Sequence, residues 1–419
     1  MHPADARAFE KFLAVRPAWT AMRSAREAIG LEDRALLHCG PPVAAAADLV
    51  QPTLNSAAVA CVFEGWARTL PEALELVRSG EIDFSPAQDR GVATPMAAVV
   101  SPSMTLIEMT DMKTDAHRAF APINGGGTGG DPAPRYGRCS EEALDYLRFL
   151  NGPVAAALTA AAAPLPWLPL LDAALTEGDD GHLRHGAAHA RLLAILEQRI
   201  DFKTLPEGVA EFMHKWPFFH LNFWMAAVRC VLGAAEGVAQ SSLITAFGGN
   251  GTEFGLQLSG QPRRWHVIPA TPPRGRVREP YDENSGVGAY GDSAVVEAFG
   301  LGAMAHAFAP DMHALHKGFC PSDLFDLPGQ LLCGLHPEMT VSGARVGLTA
   351  RRIVEVGATP VVELGIVEKT GAGGGLGAGL YRPQLELYTQ ASASLHVRIH
   401  YDAQCAFALQ AKLASTIKP

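Results

Sequence analysis

Seven glycines and a lysine crowd the stretch GIVEKTGAGGGLGAGLYRP (365–383), directly behind the apolar run TPVVELGIV (359–367). Successive glycine N–H groups form a concave anion-binding nest. The expected anion contacts are therefore Gly374, Gly377 and Gly379, flanked by the charges of Lys369 and Arg382. A dinucleotide fingerprint is not the reading. Gly373, Gly375 and Ala378 satisfy G-x-G-x-x-A, but Pro383 stops the helix that would anchor a pyrophosphate. The plainer alternative is a tight turn in which glycines permit close packing. A second run, GGNGTEFG (248–255), carries the turn signal Asn250-Gly251, from which Thr252 and Glu253 emerge. Asn250 and Glu253 are candidates for catalysis and Thr252 for binding, though a hairpin without further role explains the same letters.

Metal chemistry is suggested by EGDDGHLRHGAAHARLL (177–193). On a helix His182, His185 and His189 would share one face, and neutral imidazoles at that spacing bind divalent metals. Asp179 and Asp180 would cap the helix start, and solvent-facing histidines are the bland alternative. DMHALHKGF (311–319) offers a weaker echo in His313 and His316. GDSAVVEAFGLGAMA (291–305) opens with Asp292-Ser293 as a helix start, where backbone N–H groups can also receive an anion. Two proton acceptors complete the set: His38, ending the strand-like RALLHCGPP (34–42), and Glu64. A strand-end histidine that only bonds a backbone carbonyl is the simpler reading of His38. No G-x-S-x-G and no Walker A motif occurs.

The elements that must position these residues change character along the chain. Helical patterns at 5–15, 22–29 and 71–82 alternate with strand candidates at 34–42 and 101–111, and 55–65 reads as a buried strand or helix. INGGGTGGDPAP (123–134) is a loop. From Ser140, a probable N-cap, helical spacing dominates through 182–200 and 219–238. Strand candidates then return at 254–260, 264–270 and 359–367. The expectation is a multidomain α+β protein: an α+β domain at 1–139, a helical domain at 140–240 and a second α+β domain at 241–419. The uncharged segment 154–171 is read as the end of an Ala-rich helix followed by an extended proline loop, not as a membrane span.

Bulk composition narrows the partners. The chain has 419 residues, 48% of them hydrophobic, with 34 basic and 43 acidic side chains and a net charge of −9. No basic block is present, which argues against nucleic acid or an anionic membrane as partner. Seven scattered cysteines without a C-x-x-C pair, and no apolar signal-peptide core, suggest reduced thiols in a cytoplasmic protein. Self-association into a homo-oligomer is expected.

Taken in order, LLHCGPP (36–42), VFEGWA (62–67), SGEIDFSP (79–86), PMAAVVSPSM (95–104), GDDGH (178–182), NGTEFGLQLSG (250–260), GDSAVVEAFGLGA (291–303) and TPVVELGI through GLGAGLYRP (359–383) resemble the AllG-like family, large subunits of oxamate carbamoyltransferase. The resemblance implies carbamoyl transfer between carbamoyl phosphate and a small amide or amine such as oxamate. It also implies companion subunits, one of them similar to acyl-CoA synthetases. No cofactor is expected, apart from a divalent metal at the histidines His182, His185 and His189. Such transfer needs positive potential on the phosphate, donors for an oxyanion and a base for the nitrogen. The glycine loop with Lys369 and Arg382, the donors near Asn250-Gly251 or Asp292-Ser293, and His38 or Glu64 would supply these in turn. Asn124 keeps the family's asparagine as a substrate contact.

The chain departs from the pattern where Ala87-Gln88-Asp89-Arg90-Gly91 lacks histidines and Asn124-Gly125-Gly126-Gly127 lacks a following lysine. His182-Leu183-Arg184 and Glu368-Lys369 are further departures. Two other classes stay open: a metal-dependent amide or ring hydrolase, and a non-catalytic subunit that organises partner enzymes.

Overall fold

The helix Phe218–Ala234 is apolar on every side, with Phe219, Phe223, Trp224, Val228 and Leu232 each at most 1% exposed. A helix of that kind belongs inside a core. The structure is a computed structural model that describes residues 1–126, 131–216 and 218–395. In it this helix lies against an antiparallel sheet of four strands in the order Arg118–Pro122, Thr105–Asp111, Pro17–Ser24, Leu165–Pro166. Phe223 stacks on Trp167 at 5.2 Å and meets Trp19 edge-on at 5.0 Å. Truncating so enclosed a ring to alanine costs about 3–5 kcal/mol. The helix also carries polar ties. Asn222 Nδ2 donates to Pro122 O at 2.9 Å, while Arg229 donates to Thr245 O at 3.2 Å and to Gln88 O at 3.0 Å.

Two further sheets follow in the chain. One has the order Tyr290–Gly291, Ile244–Asn250, Glu253–Leu258, Gln261–Pro269, all antiparallel. The other has the order Arg274–Val277, Gly375–Tyr381, Val362–Val367, also antiparallel. In this third sheet a Cβ at Gly275 or Gly377 would come within 2.1 Å of a carbonyl oxygen of the facing strand. Several glycines of the rich loop thus serve strand pairing. A parallel pair, Ala35–His38 with Asp83–Pro86, sits over the helices Gln51–Phe63 and Leu70–Arg78. The helix Glu141–Phe149 adds Leu144 and Leu147 to that smaller core. The main core is a single cluster containing Phe12, Trp167, Phe247 and Leu364, so all three expected segments pack together. The α+β class is as expected.

Three local readings change. Residues 55–63 fall in the helix Gln51–Phe63, one of the two readings given for 55–65, whereas 22–29 changes: the strand Pro17–Ser24 precedes the short helix Ala25–Ile29. The proline-rich stretch is not one extended loop. Pro169 lies in the first turn of the helix Leu168–Leu175, where its missing N–H has no intrahelical partner to lose. The helix expected to carry the histidines, Gly186–Arg199, begins after His182 and His185 rather than before them. Asp180 Oδ1 accepts the N–H groups of His182, Leu183 and Arg184 at 2.6, 2.9 and 3.1 Å, which folds that segment into a capped loop. No helix among the described residues is long and apolar enough to cross a membrane. Cys405 lies outside the described residues.

Candidate functional site

A cavity of about 250 Å³ opens where the loops before the helices meet the third sheet. Its polar wall is made by Arg135, Tyr136, His182, Arg278 and Ser293, with the backbone of Gly375 and Gly377 on the sheet side. Arg135 lies in a short turn, Pro134–Tyr136, that ends at Gly137 with φ 65°. A Cβ at Gly137 would lie 2.5 Å from Pro52, so glycine is needed there for packing as well as conformation. The guanidinium of Arg135 sits between the rings of Tyr136 (4.8 Å) and Phe218 (4.6 Å) and donates to Tyr136 Oη at 2.9 Å. It also donates to Gly126 O, while its buried Nε has no partner. Arg278 extends from the end of its strand and donates to Gly375 O at 3.1 Å and Gly373 O at 2.6 Å, stacking over Tyr281 at 4.9 Å. Among the described residues neither guanidinium has a carboxylate partner. Two cations without an internal anion, held by aromatic rings and carbonyls, are poised to receive an anionic ligand.

His182 forms the opposite side and is held from behind. Its Nδ1 bonds Glu297 Oε1 at 2.8 Å, leaving Nε2 for a ligand. Glu297 is fully buried and also accepts Ala303 N at 3.2 Å and Glu363 N at 3.1 Å. Burial pushes the His182 pKa down, but Glu297 and then Glu363 and Asp180 outweigh it, so the imidazolium is favoured above the ordinary histidine range. Behind this pair lie Asp180, His306, His316 and Glu363, all at most 2% exposed. Burial first pushes Asp180 and Glu363 up to about 8, with repulsion from Glu363 adding to it at Asp180 and repulsion from Glu297 adding to it at Glu363. Burial lowers His316 to about 4.

The stretch from 82 to 293 holds Arg135, His182, Arg278 and Ser293, and it matches the family described as "Oxamate carbamoyltransferase subunit AllG". The chain belongs to the AllG family. It is 29% identical over 412 residues to the Escherichia coli K12 protein named "Oxamate carbamoyltransferase subunit AllG", covering 94% of this chain and 97% of that one. An Escherichia coli protein named YahG, described as uncharacterized, is 28% identical over 405 residues, or 93% of this chain and 84% of its own length. The crystal structure of a conserved protein of unknown function from Enterococcus faecalis V583 superposes with a TM-score of 0.86 at 26% identity, covering 94% and 97% of the two chains.

This AllG-family chain gathers only part of the expected site around its cavity. Ser293, His182 and Gly377 line it. Lys369 and Arg382 do not, for they stand beyond opposite ends of the strand Gly375–Tyr381. Arg382 is held by Asp323 through two bonds of 2.9 and 2.6 Å. The turn from 368 to 374 does form a nest, but the chain fills it with its own carboxylate. Glu368 Oε2 accepts Thr370 N at 3.1 Å and Gly373 N at 3.2 Å, and these donors outweigh burial to hold its pKa below the usual range. Gly374, at φ 65°, turns that loop, and Gly379 lets its strand approach Arg274.

Asn250 makes the hairpin turn. Its Oδ1 accepts Thr252 N at 2.9 Å and Glu253 N at 2.7 Å, and its Nδ2 donates to Pro41 O at 3.1 Å. Thr252 is exposed and Glu253 half-buried, away from the cavity lining. Glu64 accepts Ser101 Oγ at 2.5 Å and Ser103 N at 2.8 Å, bracing a turn. His38 Nδ1 bonds Cys39 O at 2.8 Å, and burial lowers its pKa to about 4. Asn124 Oδ1 accepts Gly125 N at 2.8 Å and its buried Nδ2 is unpartnered.

Asp292 does not cap a helix. Its carboxylate accepts Gly40 N at 2.8 Å, Gln88 Nε2 at 2.6 Å and Thr94 N at 3.0 Å, riveting distant segments together. The expected histidine triad separates as well. His182 faces Glu297, His185 bonds His182 O at 2.6 Å and His220 at 3.2 Å, and His189 bonds Met213 O at 2.7 Å. The three imidazoles do not converge because the first two lie in the capped loop.

Arg135 and Arg278 were missed. The available signal was RGRVRE (274–279), where arginines alternate on one face of a strand without nearby acids in register.

Proposed function

We propose that this chain is the anion-binding subunit of a carbamoyltransferase, and that the cavity takes carbamoyl phosphate together with a small acceptor such as oxamate. The observation that carries the reading is the pair of guanidiniums, Arg135 and Arg278, facing a cavity of about 250 Å³ without a carboxylate partner among the described residues. A phosphate or an α-keto carboxylate is matched by planar forked donors. In the transfer, the amide nitrogen of the acceptor attacks the carbamoyl carbon, the C–O bond to phosphate breaks and phosphate leaves with its electron pair. The arginines hold the phosphate and the carboxylate. Ser293 Oγ and the backbone near Gly377 offer donors to the developing oxyanion, and His182, in its neutral form with Nδ1–H held on Glu297, takes at Nε2 the proton that the nitrogen loses. Glu297 keeps that ring in one tautomer and stabilises its cation. A relative of 29% identity is named a carbamoyltransferase subunit, which supports the reading and also points to companion subunits.

The test is thermal stabilisation by carbamoyl phosphate, phosphate and oxamate, since a ligand that binds only the folded state raises the melting temperature. Arg278→Ala should abolish the shift while Lys369→Ala keeps it. Loss of the shift in Lys369→Ala but not in Arg278→Ala would move the anion site to the glycine turn. No shift with any ligand, in the chain alone or with its companions, would refute the proposal.

A further inference from the structure

The group behind His182 has more acceptors than donors. Asp180 Oδ2, Glu297 Oε2, Glu363 Oε2, His306 Nδ1 and His316 Nε2 are all buried and without a hydrogen-bond partner. The residues bearing them are at most 2% exposed, so water does not solvate them. Among the described residues their ion-pair partners are histidines: His182 to Glu297 at 2.8 Å, His306 to Glu363, and His316 to Glu363 at 3.6 Å. No lysine or arginine among the described residues neutralises the three carboxylates. Buried carboxylates at this density need protons or a cation. A proton shared by Asp180 and Glu363 would neutralise one charge, yet His306 Nδ1 and His316 Nε2 stay without a hydrogen-bond partner among the described residues.

We propose that Asp180, His306 and Glu363, with His316 beside them, hold one divalent transition-metal ion. One ligand atom from each of Asp180, His306 and Glu363 already lies within 4.8 Å of the others. Metal–ligand bonds of about 2.1 Å in a tetrahedron place neighbouring ligands roughly 3.4 Å apart, so small rotations close the site. Two imidazoles and two carboxylates suit zinc, iron(II) or manganese better than magnesium or calcium. The neighbouring group of His306, His313 and Cys320 is partly exposed and lacks the carboxylates, so the ion is assigned to the enclosed side. Asp180, His306 and Glu363 do not line the cavity, whereas His182 does. The ion therefore stands behind His182 and joins the loop at 180, the turn at 306 and the strand Val362–Val367. It is a closed site that fixes the floor of the cavity, not a centre that touches substrate.

The experiment uses the full chain. Protein purified without chelator, and protein incubated with Zn²⁺, Mn²⁺ or Co²⁺ and then desalted, is measured for metal by inductively coupled plasma mass spectrometry. About one equivalent per chain is expected, with chelation lowering the melting temperature by roughly 5 °C. Co²⁺ should give visible d–d bands of a low-coordinate nitrogen and oxygen site. His306→Gln and Asp180→Asn should each reduce the bound metal about tenfold, while His189→Gln, outside the group, should leave it unchanged. If one of these variants fails to fold, His316→Gln and the Co²⁺ spectrum of the unaltered protein carry the decision. Sub-stoichiometric metal under every loading condition, with no melting shift from the three ions or from chelator, would overturn the assignment and leave protons to neutralise the group. Neither readout depends on carbamoyl phosphate, so this proposal and the functional one fail separately.

Discussion

Removing the carboxylate of Asp292 should uncouple segments that lie far apart in sequence. Its two oxygens accept from Gly40 N, Gln88 Nε2 and Thr94 N, and the side chain is fully buried. Gln88 keeps a second acceptor in Phe247 O at 3.1 Å, so Asp292→Ala orphans chiefly the two backbone N–H groups. Each orphaned buried N–H costs about 1–3 kcal/mol, a gross loss of roughly 2–6 kcal/mol. Burial pushes the carboxyl up to about 7 against the pull of its three donors, so deleting it also recovers a desolvation cost. We set the net loss at about 3 kcal/mol near pH 5.

The pH dependence has a definite sign. The folded pKa is raised above the unfolded value, so the stability linked to this carboxyl is full at low pH and is lost as pH rises through about 7. The deficit of Asp292→Ala should therefore shrink between pH 5 and pH 8. Guanidinium unfolding followed by tryptophan fluorescence reads the energy, and amide hydrogen exchange at Gly40 and Thr94 reads the place. Ser293→Ala is the control. No described residue hydrogen-bonds its hydroxyl, so the variant's stability should stay within about 0.5 kcal/mol of the unaltered protein. A loss below that level in Asp292→Ala, or unchanged protection of both amides, would refute the rivet.

Three further outcomes are expected. His38 is held neutral by burial with a pKa of about 4, below the ordinary value, so its contribution is present above pH 6.5 and lost as pH falls towards 4. At pH 5 that is about 2 kcal/mol, and His38→Gln should flatten the acid limb of a stability profile by that amount. Gly375→Ala places a Cβ 2.5 Å from the Tyr136 ring on the cavity wall. Anion affinity, read by calorimetry, should fall about tenfold or more while the melting temperature moves little. Gly302 has φ 63°, and a Cβ there would lie 2.1 Å from Glu297 Oε1. Gly302→Ala should displace the carboxylate behind His182 and cost about 3 kcal/mol by denaturant unfolding.

The α+β class was legible because local patterns agree with the fold wherever a segment's partner lies nearby. The helix Glu141–Phe149 is announced by Ser140, whose side chain accepts Ala143 N at 3.2 Å. The Asn250-Gly251 hairpin is likewise a local signal met by a local structure. The site was less legible, since two of the residues singled out for it gain their meaning from residues more than a hundred positions away. His182 looks like one of three histidines on a helix, but Asp180 caps the loop first and Glu297 claims the ring. Asp292 looks like an N-cap, yet its donors are Gly40, Gln88 and Thr94. The glycine loop shows why composition alone misleads about anions. Its nest is real, but Glu368, one residue before the conspicuous Lys369, is the anion it holds. A nest that closes on its own carboxylate shapes a turn, and the turn's value to the cavity is indirect. It presents Gly373 O and Gly375 O to Arg278, and so fixes where that guanidinium can meet a ligand.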